Sequence, residues 1–459
     1  MVHLRFICPL ILLDTTEQNE ARPNGGHCTP LAGANGVNQP LPADQRDCRC
    51  AGYLLPYGQM SDQQSELVSS PIRIAFVITG VTAGGAEAML IKLLSRLDRS
   101  RFTAQVWTLR RGGEMEQHFR ALGFPLHMIG QGRLTTTIMA PWRLLTLTRR
   151  FRPHLIQGWM YHGNLAANLA SLAAPAATPL LWNVRHSLSA LDGSNRSTRA
   201  LMWLSGKLSA WPQRIINNSL TSATRHESQL GYPQSKRVII PNGFDTDLFK
   251  PSRQARQQIR LSLGVADETI LVGVAARFDY VKNHRGFLRA AAAVLRQHED
   301  VQFLLVGADI DQRNRPLLQW IEELGLRRHT HLLGHRDDMP AVQASLDLSV
   351  CCSFSEGFPN VVGEAMSCGV PCLVTDVGAS AQVVGDAGSI IPANDQLALE
   401  QALSALLALP SEQRRALGER ARQRVIQLFS LDTVALQYAN LYYDCVRQPE
   451  RTAAALRSS

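Results

Sequence analysis

Between residues 51 and 350 this 459-residue chain has no cysteine. Its nine cysteines fall in two groups: Cys8, Cys28, Cys48 and Cys50 near the start, and Cys351, Cys352, Cys368, Cys372 and Cys445 toward the end. The first group lacks zinc-ligand spacing, and an odd total without a framework argues for a reducing, cytoplasmic compartment. Long apolar runs are also missing. Crossing a bilayer as a helix takes roughly 20 consecutive apolar residues, and the longest candidate stretch, Leu165 to Leu181, is broken by Pro175 and Pro179. There is no G-x-G-x-x-G, so dinucleotide binding is not supported. Acidic residues are scarce in one region only. Residues 71–240 carry 21 Lys+Arg against 6 Asp+Glu, or +15, whereas residues 241–459 carry 22 against 25, or −3. A basic first half points to an anionic partner; the bland alternative is solubility charge.

With 45% apolar residues, the length suits two cores plus extras. Residues 1–70 are rich in Gly, Pro, Asn and Asp without periodicity, and read as a disordered tail or a mis-assigned start, with Met60 as the alternative first residue. From Ile72 strand and helix patterns alternate: "IRIAFVIT", then "GGAEAMLIKLLSRL", then "FTAQVWTL". The alternation restarts after "IPNGFDTDLFKP", with "TILVGVAARF" and "HRGFLRAAAAVLRQH". The expected class is α/β: two Rossmann-like, doubly wound domains facing a cleft, over residues 71–240 and 241–428. Residues 429–447 are expected to form an amphipathic helix that crosses back to the first domain.

Ligands of such sheets bind at the carboxyl ends of strands. Three stretches fall there. Gly84 and Gly85 precede a helix after the first strand, where backbone can approach an anion, though a tight turn explains them equally well. Arg277 and Lys282 follow the first strand of the second domain, and two cations there suit a diphosphate or are simply solvated. In "SEGFPNVVGEAMSCGVP", Pro359 is expected at the first position of a helix. The amides of Phe358, Pro359's neighbour Asn360 and Val361 then open toward a ligand. Glu356 precedes the turn and Glu364 lies one turn into the helix; the bland reading is a capped helix with two surface glutamates.

"EGFPNVVGEAMSCGVP" resembles the E-x(7)-E signature of the retaining glycosyltransferases of family 4, which have the GT-B fold. Other stretches agree in order: "GGAE" with the N-terminal glycine loop, "VIPNGFDTDLFKP" with the interdomain segment, "ARFDYVKN" with an Arg-x(4)-Lys pair, and "LGHRDDMP" with the nucleobase loop. The resemblance spans about residues 72–445. It implies that Arg277 and Lys282 hold a donor diphosphate, Glu364 binds the ribose, and Glu356 contacts the transferred sugar with backbone from Phe358, Pro359, Asn360 and Val361. The base would lie against Gly334, His335 and Arg336. His186 matches the place of the family's active-site histidine, with Arg185 beside it, and His162 on a neighbouring loop is a candidate for the acceptor.

The activity implied is that of a hexosyltransferase, moving sugar from a nucleotide-diphosphate sugar to an acceptor, lipid-linked or a polysaccharide precursor. The resemblance implies no cofactor, no catalytic metal and no nucleic-acid partner. The D-x-D matches at Asp245–Asp247 and Asp309–Asp311 are read as chance. Alternatives are a nucleotide-sugar 2-epimerase, which needs no acceptor, and a non-catalytic sugar-binding relative. "RLLTLTRRFRP" and "RSTRALMWLSGKLSAW" mix cations with Leu, Met and Trp, as interfacial helices or as helices against the core. The interfacial reading implies peripheral attachment to an anionic, cytoplasmic membrane face.

Overall fold

The computed structural model describes residues 70–447, apart from residues 83, 131–134, 187 and 189–195. The expectations for the tail, and for Met60 as the first residue, lie outside them. Seven strands form one parallel sheet: β1 (Ile72–Ile78), β2 (Phe102–Thr108), β3 (Leu126–Met128), β4 (Leu155–Trp159), β5 (Leu180–Val184), β6 (Arg214–Asn217) and β7 (Arg237–Ile239), in the order β3-β2-β1-β4-β5-β6-β7. Six more form a second: β8 (Ile270–Ala275), β9 (Val301–Val306), β10 (Thr330–Leu332), β11 (Leu348–Cys351), β12 (Cys372–Thr375) and β13 (Ser389–Ile391), in the order β10-β9-β8-β11-β12-β13. Each sheet reverses direction beside its first strand, which opens a crevice at the strand ends there.

The central strands read as continuous apolar runs because helices cover both faces of each sheet. On the first sheet, Ile74, Phe76 and Ile78 point into one core and Ala75 and Val77 into the other. On the second, Leu271 and Leu304 face one core and Val272 and Phe303 the opposite one. Period-2 alternation puts neighbouring residues on opposite faces.

The chain crosses between the domains twice, and the two crossings are bonded together. Phe244 N–H donates to the Phe429 carbonyl at 2.8 Å, and Leu431 N–H donates to the Phe244 carbonyl at 2.8 Å. The Phe244 ring also fills the space over Gly363, where an added Cβ would lie 2.0 Å from a ring carbon. After the second crossing the helix Leu431–Arg447 lies on the first sheet. Tyr438 and Tyr442 are fully buried there, Tyr442 sits edge-on to Phe76 and Phe102, and its hydroxyl donates to Gln157 at 2.6 Å. The first domain therefore takes part of its core from the end of the chain.

Loops that follow strands of one sheet meet loops that follow strands of the other. Thr221, after β6, donates its hydroxyl to the Gly378 carbonyl, after β12, at 2.9 Å. Gly85, after β1, approaches Asn360, after β11: a Cβ at Gly85 would stand 3.5 Å from Asn360 Nδ2. The carboxyl ends of the two sheets thus face each other.

Candidate active site

The loop after β8 is shaped by its own side chains. Asp279 accepts from the Val281 amide at 3.0 Å and bonds the Arg277 guanidinium at 2.7 and 3.1 Å. Partial burial pushes the Asp279 carboxyl up, but the Val281 amide and Arg277 outweigh it and hold it below the ordinary range. Asn283 takes a left-handed conformation (φ 54°), ends the turn Tyr280–Lys282 and caps the helix His284–Leu295 by accepting from the Gly286 amide at 3.1 Å. The sharp reversal throws Lys282 across toward the segment after β11. Its Nζ lies 2.6 Å from Glu356 Oε1, with the two side chains 21% and 10% exposed. Ser353 Oγ donates to the same oxygen at 2.6 Å. Arg277 is the freer cation, with its side chain 66% exposed.

The helix Asn360–Ser367 begins one residue later than the sequence predicts. Pro359 stands at the N-cap, with φ −80° and ψ 90°, and Asn360 is the first helical residue. The shift is within the spread of helix ends. It still leaves the Asn360 and Val361 amides without intrahelical acceptors, which favours an anion there. Glu364, one turn in, is partly buried. Burial pushes its carboxyl up to about 7, and Lys92 from the helix Gly85–Arg96 pulls the other way. The two glutamates of the motif therefore answer to different cations: Glu356 to Lys282 within the second domain, Glu364 to Lys92 of the first.

Gly84 is the N-cap of the helix Gly85–Arg96 and is extended (φ −150°). A Cβ at Gly84 would fall 2.4 Å from Glu87 Oε2. The start of this helix meets the start of Asn360–Ser367, so two positive helix ends come together. Gly334 is left-handed (φ 64°), accepts from the Gly307 amide and donates to the Ile310 carbonyl, both at 2.8 Å. That ties the loop after β10 to the loop after β9. Arg336 Nε donates to Asp338 at 2.7 Å, and His335 is exposed, 3.4 Å from Asp337.

In the first domain His186 lies two residues past β5. Burial holds its imidazole below the ordinary range, so it is neutral at pH 7, and Nδ1 has no hydrogen-bond partner among the described residues. Its carbonyl accepts from Ser222 Oγ at 3.0 Å, and its ring stands edge-on to Tyr161. Behind it, Tyr161 and buried His226 share a 2.7 Å hydrogen bond. His162, expected on a loop, sits instead in the first turn of the helix Met160–Ser171, which follows β4 directly, with Met160 left-handed (φ 65°). Arg185 turns its guanidinium to Asn242 and Tyr438.

The structure brings Arg277, Lys282, Glu356, Asn360 and Gly85 to one region, and sets His186 and His162 on adjacent strand ends of the facing domain. Three of the four D-x-D aspartates are in ion pairs. Asp245 and Asp247 flank Arg96 at 3.4 and 3.8 Å, and Asp311 pairs with Arg313 at 2.6 Å. Among the described residues no cluster of three or more His, Cys, Asp or Glu could hold a metal. A groove of about 610 Å³ shares Asp279 and Asn283 with the β8 loop, but neither motif glutamate lines it. Reading the sequence missed Lys92, Asn242, Trp159 and Tyr438. Asn242 lay inside the "IPNG" stretch already singled out, but nothing local to it names a partner.

Two family models match the chain: "Glycosyltransferase Family 4" over residues 83–248 and "Glycosyl transferases group 1" over residues 255–424. The putative glycosyltransferase EpsF of Bacillus subtilis (strain 168) is 27% identical over 67% of this chain and 80% of its own length. The phosphatidyl-myo-inositol mannosyltransferase of Mycobacterium leprae (strain TN) is 26% identical over 70% of this chain and 84% of its own. Among solved structures, Anabaena Alr3699/HepE in complex with UDP superposes with a TM-score of 0.70, at 24% identity, over 81% of this chain and 100% of that one.

Proposed function

The chain belongs to the glycosyltransferases of family 4, with the GT-B fold, and from that premise we propose that it transfers a hexosyl group, with retention, from a nucleotide-diphosphate sugar to a lipid-linked or polysaccharide-precursor acceptor. The observation that carries this reading is the Lys282–Glu356 pair, 2.6 Å apart beside the start of the helix Asn360–Ser367. A diphosphate arriving there exchanges Lys282 away from Glu356. The carboxylate is then released to accept hydrogen bonds from the transferred sugar. Arg277, Lys282 and the first-turn amides neutralise the diphosphate as it leaves. The bond between the sugar's anomeric carbon and the phosphate oxygen breaks, and a bond from that carbon to the acceptor oxygen forms on the same face. The acceptor's proton passes to the departing phosphate. His186, neutral and on the facing domain, contacts the sugar rather than carrying charge. Glu364 accepts from the ribose, and Gly334, His335 and Arg336 border the base.

The acceptor side supports a membrane-borne substrate. The helices Thr135–Phe151 and Arg196–Leu208 both pack against Met160–Ser171, on one face of the first sheet. They expose Trp142 (63%), Trp203 (61%) and Met139 (48%) amid the basic charge of this domain. That pairing of aromatics with cations fits an anionic lipid surface. No described helix is long and apolar enough to cross a membrane.

The decisive experiment screens nucleotide-sugars by the melting shift each produces, then follows the best with acceptors and assigns the product's anomeric configuration. Turnover of the donor without any acceptor to an isomeric nucleotide-sugar would replace this reading with an epimerase. Because the cations of the site are side chains, transfer is expected to survive EDTA.

A further inference from the structure

Arg185 stands one residue before His186, and its guanidinium meets three other segments of the chain. Nη1 donates to Asn242 Oδ1 and Nη2 to the Tyr438 hydroxyl. Its carbon centre lies 5.2 Å from the centroid of Trp159 and 5.9 Å from that of Tyr438. Trp159 Nε1 in turn donates to the Ala86 carbonyl at 2.9 Å, in the first turn of the helix Gly85–Arg96. Asn183 Nδ2 reaches the Tyr438 hydroxyl at 2.7 Å. Asn242, in the crossing segment, passes the chain of bonds to the second domain: its Nδ2 donates to Asn360 Oδ1 at 2.7 Å. The Asn360 side-chain oxygen is thus engaged by the crossing segment.

Other polar contacts lie between the two halves, Arg96 with Asp245 at 3.4 Å and the Thr221 hydroxyl with the Gly378 carbonyl at 2.9 Å, while Gly243 packs against Leu431 and Val434. Apolar contact resists separation but is not directional, so it does not fix one rotation of the domains. Hydrogen bonds do. Resting on the glycosyl-transfer reading above, we infer that Arg185 and Asn242 are positioning residues, which set the His186 loop of one domain against the first turn of the donor helix of the other. Neither touches the donor. Their effect is felt through where His186 and the amides of Asn360 and Val361 stand relative to each other. An error of about 1 Å in such an alignment is enough to slow a reaction by around a hundredfold.

The test uses Asn242→Ala, Asn242→Asp and Arg185→Lys in the full chain. Asn242→Ala cuts both links. Asn242→Asp keeps an acceptor for Arg185 but removes the donor to Asn360. Arg185→Lys keeps the charge but loses the two-pronged fork. Each is expected to lower kcat at least about tenfold, with the donor KM and the UDP-induced melting shift changed less than about twofold. Arg185→Lys combined with Asn242→Ala should be no slower than the slower single variant, since both interrupt one chain. Hydrogen exchange gives a readout independent of activity. In Asn242→Ala, the segments 183–186 and 360–364 should both exchange faster; in Asn242→Asp, only 360–364. Wild-type kcat in these variants, or a loss of kcat together with lost UDP binding and faster exchange throughout, overturns the inference. If the wild-type protein transfers sugar from no nucleotide-sugar, it is the functional reading that fails, and the exchange pattern still decides the positioning role.

Discussion

In the second domain the groups that would meet a diphosphate are already tied to one another. Lys282 holds Glu356 and Arg277 holds Asp279. The first domain offers the opposite. The His186 ring has a nitrogen without a partner among the described residues, large aromatics face solvent, and the region 71–240 carries +15 against −3 for 241–459. The two sheets share one winding, so this contrast comes from side chains at the strand ends and not from topology. A charged, defined ligand can be met by ion pairs that exchange partners. A ligand presented at a surface needs reach, apolar contact and a diffuse field instead.

The contrast breaks first on the donor side. Lys282→Ala strands Glu356 without its cation, and Glu364→Ala removes the proposed ribose acceptor. Each is expected to lower kcat/KM by about 2–4 kcal/mol of transition-state stabilisation. Steady-state kinetics check this, and wild-type values in both variants would sink the donor assignment. On the other side of the cleft, His186→Ala should reduce kcat by roughly a hundredfold while the donor KM stays near wild type. A large rise in donor KM would move His186 out of the transfer geometry.

The surface contrast is smaller in energy. Co-sedimentation with anionic vesicles should weaken with added salt, at about 1 kcal/mol per cation near the surface, and neutral vesicles should bind less. Trp142→Ser with Trp203→Ser should weaken it further. Equal binding to neutral and anionic vesicles would refute a role for the basic charge.

The smallest effect is a pH dependence that separates the two motif glutamates. Burial raises the Glu364 carboxyl from 4.5 to about 7, so below that it is protonated and a poor acceptor for a ribose. Donor binding should therefore tighten as pH rises through about 7, and Glu364→Gln should flatten the profile. Folding stability runs the other way. The share from Glu364 is complete below 4.5 and is lost as pH rises through about 7. Melting curves of wild type and Glu364→Gln across this window should converge at low pH and separate above it.

Much of the proposed donor site could be assembled from the sequence because its parts are close in it. Glu356, Pro359 and Glu364 fall within one turn and helix, and Arg277 and Lys282 within one loop. The strands were legible because sheets buried on both faces leave unbroken apolar runs such as Ile72–Ile78. Short edge strands such as β3 and β10, only partly buried throughout, leave a fainter trace. The chain from Tyr438 through Arg185 and Asn242 to Asn360 was not legible, since its partners stand 57 to 253 positions apart. A hydrogen bond at that range has no period and no local signature. Lys92 was missed for the same reason: it reads as one charge on an amphipathic helix until the second domain is set against it. The one-residue shift at Pro359 reflects the ease with which proline serves on either side of a helix start.

The return of the helix Leu431–Arg447 to the first sheet bears on the order in which the molecule is made. Phe76, Phe102 and Trp159 are synthesised early, yet Tyr438 and Tyr442, which pack against them, are among the last described residues. While the ribosome is still building the second domain, the first has an apolar flank uncovered. Domains generally fold in the order they emerge, and uncovered apolar surface invites aggregation. Here the earlier domain has to wait for the later one before its core closes. A chain released before residue 431 leaves that flank bare. Any exchange of domains with a relative has to move residues 431–447 together with the first domain, although the whole second domain separates them in sequence.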